Sequence, residues 1–550
     1  MHPVALMLKP ILPDPESLSL SQLVAQIIVV RTTGHLFDHE IEYPAWEATH
    51  EQLEHYITDL GVGGVILLGG SGAEVALRCQ ALQAMAEIPL LMSADIEEGV
   101  GQRFSGATWF PPPMALGEIA RTDLELAKTY AYRFGQCTAR EAMAIGLNWV
   151  LAPVMDVNNN PANPVINVRA FGETPELVTE LTQAFIHGAQ EYPVLTTAKH
   201  FPGHGDTSID SHLSLPMISH DLSRLDQVEL WPFKGAISPK LGKSVDAVMT
   251  AHICLSALDN QHPATLSKPI LTGLLRQELG FDGLIVTDAL VMGAITKTYG
   301  PYEAAVLAVE AGADVVLMPA DVEGCIQAIC EAMRVGRLDE GQIRVSVERI
   351  WRAKHKVSGP LGTGPSCHNW EPAEPVTQVQ QLGQPETLRL ARDILQASSQ
   401  QSGAKFKPKG PGQNVILVDD VLNCRYLPRT APAIAVPMEW GYELTLVDSR
   451  AAQLQKTGLP TLVQLFIRGN PFRSGQNLVQ LARQYLENAA GDLQAVVVYG
   501  SPYVLEQLVL PDSLPWMFSY GQMPMAQSLA LESLLGGTVA VGAVDRSFTD

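Results

Sequence analysis

Eight short apolar, β-rich runs, separated mostly by helix-like segments, constrain the fold of this chain more than any other feature. They are Gln26–Val30, Gly64–Leu68, Pro89–Ser93, Leu147–Ala152, Leu195–Lys199, Ala247–Thr250, Gly283–Thr287 and Asp314–Met318. Between them lie amphipathic stretches such as Leu124–Ile145, Pro175–Gln190 and Pro301–Ala311. Strands that alternate with helices build parallel sheets covered on both faces, and eight such units within ~350 residues predict a (β/α)8 TIM-type barrel. An open, doubly wound sheet is the alternative, although no GxGxxG turn follows the first run.

The alternation breaks after the helix-like Asp339–Lys356. Ser358–Pro375 carries Gly-Pro, Gly-Thr-Gly-Pro and Glu-Pro-Ala-Glu-Pro, a linker composition. Beyond it, strand-like Asn414–Val418, Ala433–Pro437, Leu444–Val447 and Ala495–Tyr499 predict a smaller C-terminal α/β domain, with Lys405–Gly412 as a loop at its start. The expected division is residues 1–357 for the barrel, 358–378 for the linker and 379–550 for the second domain. A chain of 550 residues exceeds one ordinary core, and 46% hydrophobic against 17% charged residues suits packed domains rather than disorder.

With 37 basic and 58 acidic residues the net charge is −21, which argues against nucleic acid or an anionic membrane as main partner. No apolar run reaches ~18 residues, so no membrane span is expected. Seven scattered cysteines without a CxxC pair indicate neither a disulfide framework nor a zinc ribbon, and a reduced, cytoplasmic setting is expected. No cationic segment followed by a long apolar stretch opens the chain, so no secretory signal is expected.

In a barrel, chemistry gathers at the C-terminal ends of the strands. There the sequence sets Asp95 and Glu97, Lys199 and His200, His252, and Asp288. Any one of these could be a solvated edge or a helix cap; four strand ends together would converge on one mouth. The densest segment is Lys199-His-Phe-Pro-Gly-His-Gly-Asp-Thr-Ser-Ile-Asp-Ser-His212, with three histidines, two aspartates and a lysine in fourteen residues. Asp210 and His212 lie two apart, so extended backbone points both to one side. A carboxylate beside an imidazole orients the ring and raises its pKa, making a general acid/base near neutral pH. A polar surface loop and a zinc or manganese site are the other readings of this segment.

These residues resemble glycoside hydrolase family 3, in its β-N-acetylglucosaminidase (NagZ-like) branch. The motifs are Lys199-His-Phe-Pro-Gly-His-Gly-Asp, Asp-Ser-His212, Val-Thr-Asp288-Ala-Leu, Asn163-Pro-Val-Ile-Asn-Val-Arg169-Ala-Phe-Gly, and Val248-Met-Thr-Ala-His-Ile253 ahead of Pro263-Ala-Thr-Leu-Ser267. The resemblance covers most of residues 20–356. It implies Asp288 as nucleophile, His212 as acid/base with Asp210 as its partner, and Asp95, Arg103, Arg169, Lys199 and His200 around the sugar. The C-terminal third resembles the second domain of some members. One stretch departs from the family pattern: in Asp95-Ile-Glu-Glu-Gly-Val-Gly-Gln-Arg103, Glu98 replaces a glycine and Gly101 stands where valine is usual.

The resemblance implies a retaining β-N-acetylglucosaminidase acting on cell-wall fragments or chitooligosaccharides, with a small carbohydrate as its only expected partner and no metal or cofactor. Because a histidine acid/base leaves no carboxylate to repel an anion, phosphorolysis is an alternative to hydrolysis. A β-glucosidase of the same family, a metal-dependent hydrolase and a non-catalytic carbohydrate-binding barrel are the others. Nothing in the sequence speaks to oligomeric state.

Overall fold

The structure is a computed structural model, which describes residues 12–207, 215–239, 242–357, 378–402, 405–448, 450, 457–468, 476–508, 510–511 and 513–536. Eight parallel strands follow one another around the first sheet: β1 (Ile28–Thr33), β2 (Gly64–Leu68), β3 (Leu91–Ala94), β4 (Trp149–Val150), β5 (Leu195–Phe201), β6 (Ala247–Thr250), β7 (Leu284–Val286) and β8 (Val316–Leu317). β8 pairs with β1 through Ile28 opposite Val316. The ring closes between β7 and β8, where the Thr287 N–H donates to Val315 O and the Val315 N–H to Ile285 O, each at 3.0 Å. This is the expected barrel and not the open sheet. Closure leaves no free edge and brings all eight C-terminal ends to one rim.

Trp149 is fully buried, and its indole N–H donates to Thr197 Oγ1 on β5 at 2.7 Å. The helices Leu124–Ala144 and Pro175–Ala189 pack on one another outside the barrel, seated by the Phe134, Phe171 and Phe185 rings.

A second, mostly parallel sheet is built from β9 (Gln400–Gln401), β10 (Gly412–Val418), β11 (Tyr442–Asp448), β12 (Thr461–Ile467), β13 (Leu493–Gly500) and β14 (Trp516–Ser519). Its order is β9-β14-β13-β12-β10-β11, with only β9 antiparallel to its neighbour. The expected strand at Ala433–Pro437 is instead the helix Pro432–Glu439. A short buried apolar run has the same composition in either element, and Pro432 in the first helical turn decides for the helix. β12 is a strand that alternation alone conceals, because the buried Gln464 interrupts its apolar run.

The helix Pro385–Ser398 docks the second sheet on the barrel, packing on helices Met114–Ala120 and Leu124–Ala144. Arg140 donates to Glu386 and to Thr387 Oγ1 at 2.6 Å each. Residues 358–377 of the expected linker lie outside the described residues. Among the described residues, no helix is long and apolar enough to cross a membrane.

Candidate active site

The rim of the barrel carries an interlocked set of charges. Lys199 sits near the end of β5 with its ammonium 2.7 Å from Asp95 Oδ1 and 2.6 Å from Glu97 Oε1. Arg169, in the loop after β4, grips Glu97 with two parallel hydrogen bonds of 2.8 Å and donates to Val165 O at 3.0 Å. Burial by itself would raise the Glu97 carboxyl, but Arg169 and Lys199 outweigh it and hold it well below the usual range. Burial likewise opposes the charge on Lys199, and Asp95 and Glu97 reverse that, so its pKa rises. Asp95 is the member that opens to solvent, with a side chain 36% exposed against 4% for Glu97. Arg103 donates to Asp95 O at 2.9 Å and so closes the turn that follows β3.

A second cluster lies beside the first. Asp156, beyond β4 and wholly buried, accepts from His200 Nδ1 at 2.7 Å and from the His204 backbone N–H at 2.6 Å. Burial works to raise this carboxyl, and the two histidines prevail in lowering it. With Nδ1 committed, His200 has only Nε2 to offer a ligand. Burial drives His204 down to about 4, so it is neutral at physiological pH, with Nδ1 2.7 Å from Thr207 Oγ1. The Asn163 amide joins this loop to the next one, donating to His204 O and Gly205 O and accepting from the Val165 and Ile166 N–H groups. Gly205 is required there, because a Cβ would stand 1.7 Å from Val157 O.

Asp288 follows β7 on the same rim, partly exposed, with Oδ1 accepting from the Ala289 N–H at 2.8 Å. His252, buried just beyond β6, holds that turn: Nε2 donates to Ala289 O at 3.1 Å while Nδ1 meets Thr265 Oγ1 at 2.8 Å. Asp95, Arg103, Arg169, Lys199, His200 and Asp288 therefore come to one mouth. Asp210 and His212 fall within 208–214, outside the described residues. On either side of them, Asp206 and His220 meet at 2.6 Å.

The roles of Glu97, Asp156, His204, Asn163 and His252 are not apparent from the sequence. Glu97 and His252 stand at the strand ends where the sequence sets them, but nothing there shows which groups they hold. Asp156 and Asn163 each reach the loop after β5 through partners more than 40 residues away. Among the described residues two groups have metal-ligand spacing, His35, Glu40 and Glu74 and then Asp206, His220 and Glu229. In the second, Arg224 stands 3.4 Å from Glu229 and supplies the positive charge a cation would bring.

Two family models match the chain. "Glycosyl hydrolase family 3 N terminal domain" covers residues 19–353, and "Bacterial Glycosyl hydrolase family 3 C-terminal domain" covers 405–536. The chain belongs to glycosyl hydrolase family 3. It is 35% identical over 336 residues to beta-hexosaminidase A of Pseudoalteromonas piscicida, a match covering 56% of this chain and 55% of that protein. It is also 35% identical to the beta-hexosaminidase of Nitrosomonas eutropha, over 57% of this chain and 92% of the relative. The structure of a family 3 beta-N-acetylglucosaminidase from Paenibacillus sp. superposes with a TM-score of 0.75 at 31% identity, covering 95% of this chain and 98% of the other.

The departure from the family 3 pattern after β3 has a structural reason. Glu98 is 1% exposed, accepts from Trp109 Nε1 at 2.9 Å and is ion-paired to Arg468 of the second domain. Gly101 lies against the backbone of the returning chain: a Cβ would stand 2.4 Å from Ala107 O and 2.5 Å from Trp109 N. Valine does not fit in this version of the loop.

Proposed function

We propose that the chain is a retaining β-N-acetylglucosaminidase that releases terminal β-linked N-acetylglucosamine. The observation that carries this reading is a partly exposed carboxylate, Asp288, sharing one barrel rim with the ion-paired Asp95–Lys199–Glu97–Arg169 network. A network of fixed donors and acceptors suits a polyhydroxyl ring, and Asp95 is the acceptor best exposed to it. The names of the Pseudoalteromonas, Nitrosomonas and Paenibacillus proteins support N-acetylglucosamine as the sugar.

In this mechanism Asp288 attacks C1 as the leaving oxygen takes a proton from His212, giving a covalent glycosyl-enzyme. His212 then removes a proton from water, which attacks C1 and frees the sugar with its configuration retained. Asp210 orients the imidazole and stabilises its cationic form. His252 presents Asp288 through the Ala289 carbonyl, and Arg103, Arg169, Lys199 and His200 bind or shape the sugar site. The division of the chain at 357 and 378 belongs to the same proposal. So do a cytoplasmic setting, with which the six free cysteines among the described residues agree, and cell-wall fragments or chitooligosaccharides as substrates.

Aryl β-N-acetylglucosaminide and aryl β-glucoside, compared by kcat/KM with and without phosphate, test the assignment. The expected result is preference for the first substrate and release of free sugar. A better glucoside overturns the sugar, and dominant sugar 1-phosphate overturns hydrolysis.

A further inference from the structure

The loop that follows β3 is held from both domains at once. It is closed on itself by Arg103 to Asp95 O, the Gly101 N–H to Thr108 O at 2.8 Å and the Phe110 N–H to Glu98 O at 2.8 Å, and it is tied to the barrel by Glu97 to Lys199 and Arg169 and by Thr108 to Glu141. From the other side, Trp109 packs against Leu395, Met523, Ala526 and Leu529 of the second domain. Its indole N–H is fixed by Glu98, whose other oxygen pairs with Arg468, the residue immediately after β12. Glu98 is adjacent to Glu97 and three residues from Asp95. A carboxylate buried this deeply is costly unless a cation and hydrogen bonds compensate it. Here the cation comes from the second domain, and the hydrogen bond comes from a tryptophan of the same loop that packs against that domain.

We infer that Arg468 is a positioning residue for the sugar site: through Glu98 it sets the loop that presents Asp95 and Glu97, so the C-terminal domain takes part in substrate binding. This rests on the glycosidase reading for its kinetic consequence, though not for its structural one. The charge is placed where the usual family loop has a glycine, so the coupling belongs to this chain's version of the loop.

The test uses the full chain with Arg468→Ala, Arg468→Lys, Glu98→Gln, the Glu98→Gln/Arg468→Ala double variant, and Arg140→Ala as an interface control remote from the loop. Kinetics on aryl β-N-acetylglucosaminide and amide hydrogen exchange are read side by side. Arg468→Ala should raise KM roughly tenfold, equivalent to about 1.4 kcal/mol, with a smaller change in kcat. It should also speed exchange at Gly101 and Phe110. Arg468→Lys should restore most of both, and the double variant should be no worse than Arg468→Ala. Unchanged KM and exchange in Arg468→Ala overturn the inference, as do equal losses in Arg140→Ala, which would reduce the contact to general docking. If the parent protein turns over no glycoside, the function fails and the exchange result alone decides the brace.

Discussion

The two parallel sheets bury polar groups of different kinds. At the barrel rim the interior groups are ionised: Glu97, Lys199 and Asp156 are all at most 4% exposed. Inside the second sheet the buried polar set is neutral, with Gln464 donating to Asn414 Oδ1 at 2.8 Å and accepting from the Tyr499 hydroxyl at 3.1 Å. Burying charge costs several kcal/mol per ion before pairing, whereas hydrogen-bonded amides cost far less. Ionised networks are therefore worth keeping where a ligand uses the field, and neutral ones suffice to register strands. Closure accounts for the location, since a ring of strand ends converges on one mouth and an open sheet does not.

Four substitutions test that contrast, starting with the largest effect. Asp288→Ala should lower kcat by about 10⁴-fold or more while leaving the thermal midpoint near that of the parent, because the group is partly exposed. Next, Glu97→Ala leaves Lys199 and Arg169 without their shared carboxylate. Denaturant unfolding should register a loss of about 3–5 kcal/mol, accompanied by failure to saturate with substrate. Stability close to that of the parent would mean the network is not the buried ion cluster described here.

The third concerns pH. His204 has a folded pKa of about 4, below its unfolded value, so the unfolded chain binds the extra proton between the two. Stability should therefore rise with pH through that window and fall by on the order of 3 kcal/mol as pH drops from about 6.5 to 4. His204→Gln should flatten the fall in melting temperature over this range, and an unaltered slope would assign the acid sensitivity elsewhere. Gln464→Leu, the smallest, strands Asn414 and Tyr499 in the second sheet. It should cost about 1–3 kcal/mol with kcat/KM unchanged, and a loss of activity would mean that the neutral network also serves the site.

Much of this was legible along the chain. The runs Gly64–Leu68 and Ala247–Thr250 are strands over the expected residues, and Asp95, Lys199, His200 and Asp288 stand on the rim where strand-end reasoning sets them. Where the reading failed, the cause was local ambiguity. Pro432–Glu439 has strand-like composition in a helix, and Gln464 breaks the apolar signature of β12. Glu98 is a different case: the sequence marks it as a departure from the family but contains no hint of its purpose.

By itself the sequence determined the β/α alternation, the side chains that end the strands and the family motifs, all of them carried by neighbours within one element. Only the tertiary structure decided who compensates whom. Arg169 lies 72 residues from Glu97, Lys199 lies 104 from Asp95, and Arg468 lies 370 from Glu98. Periodicity reports which face of an element is apolar, but the state of a buried charge depends on its partner, and chain closure and domain docking supply that partner.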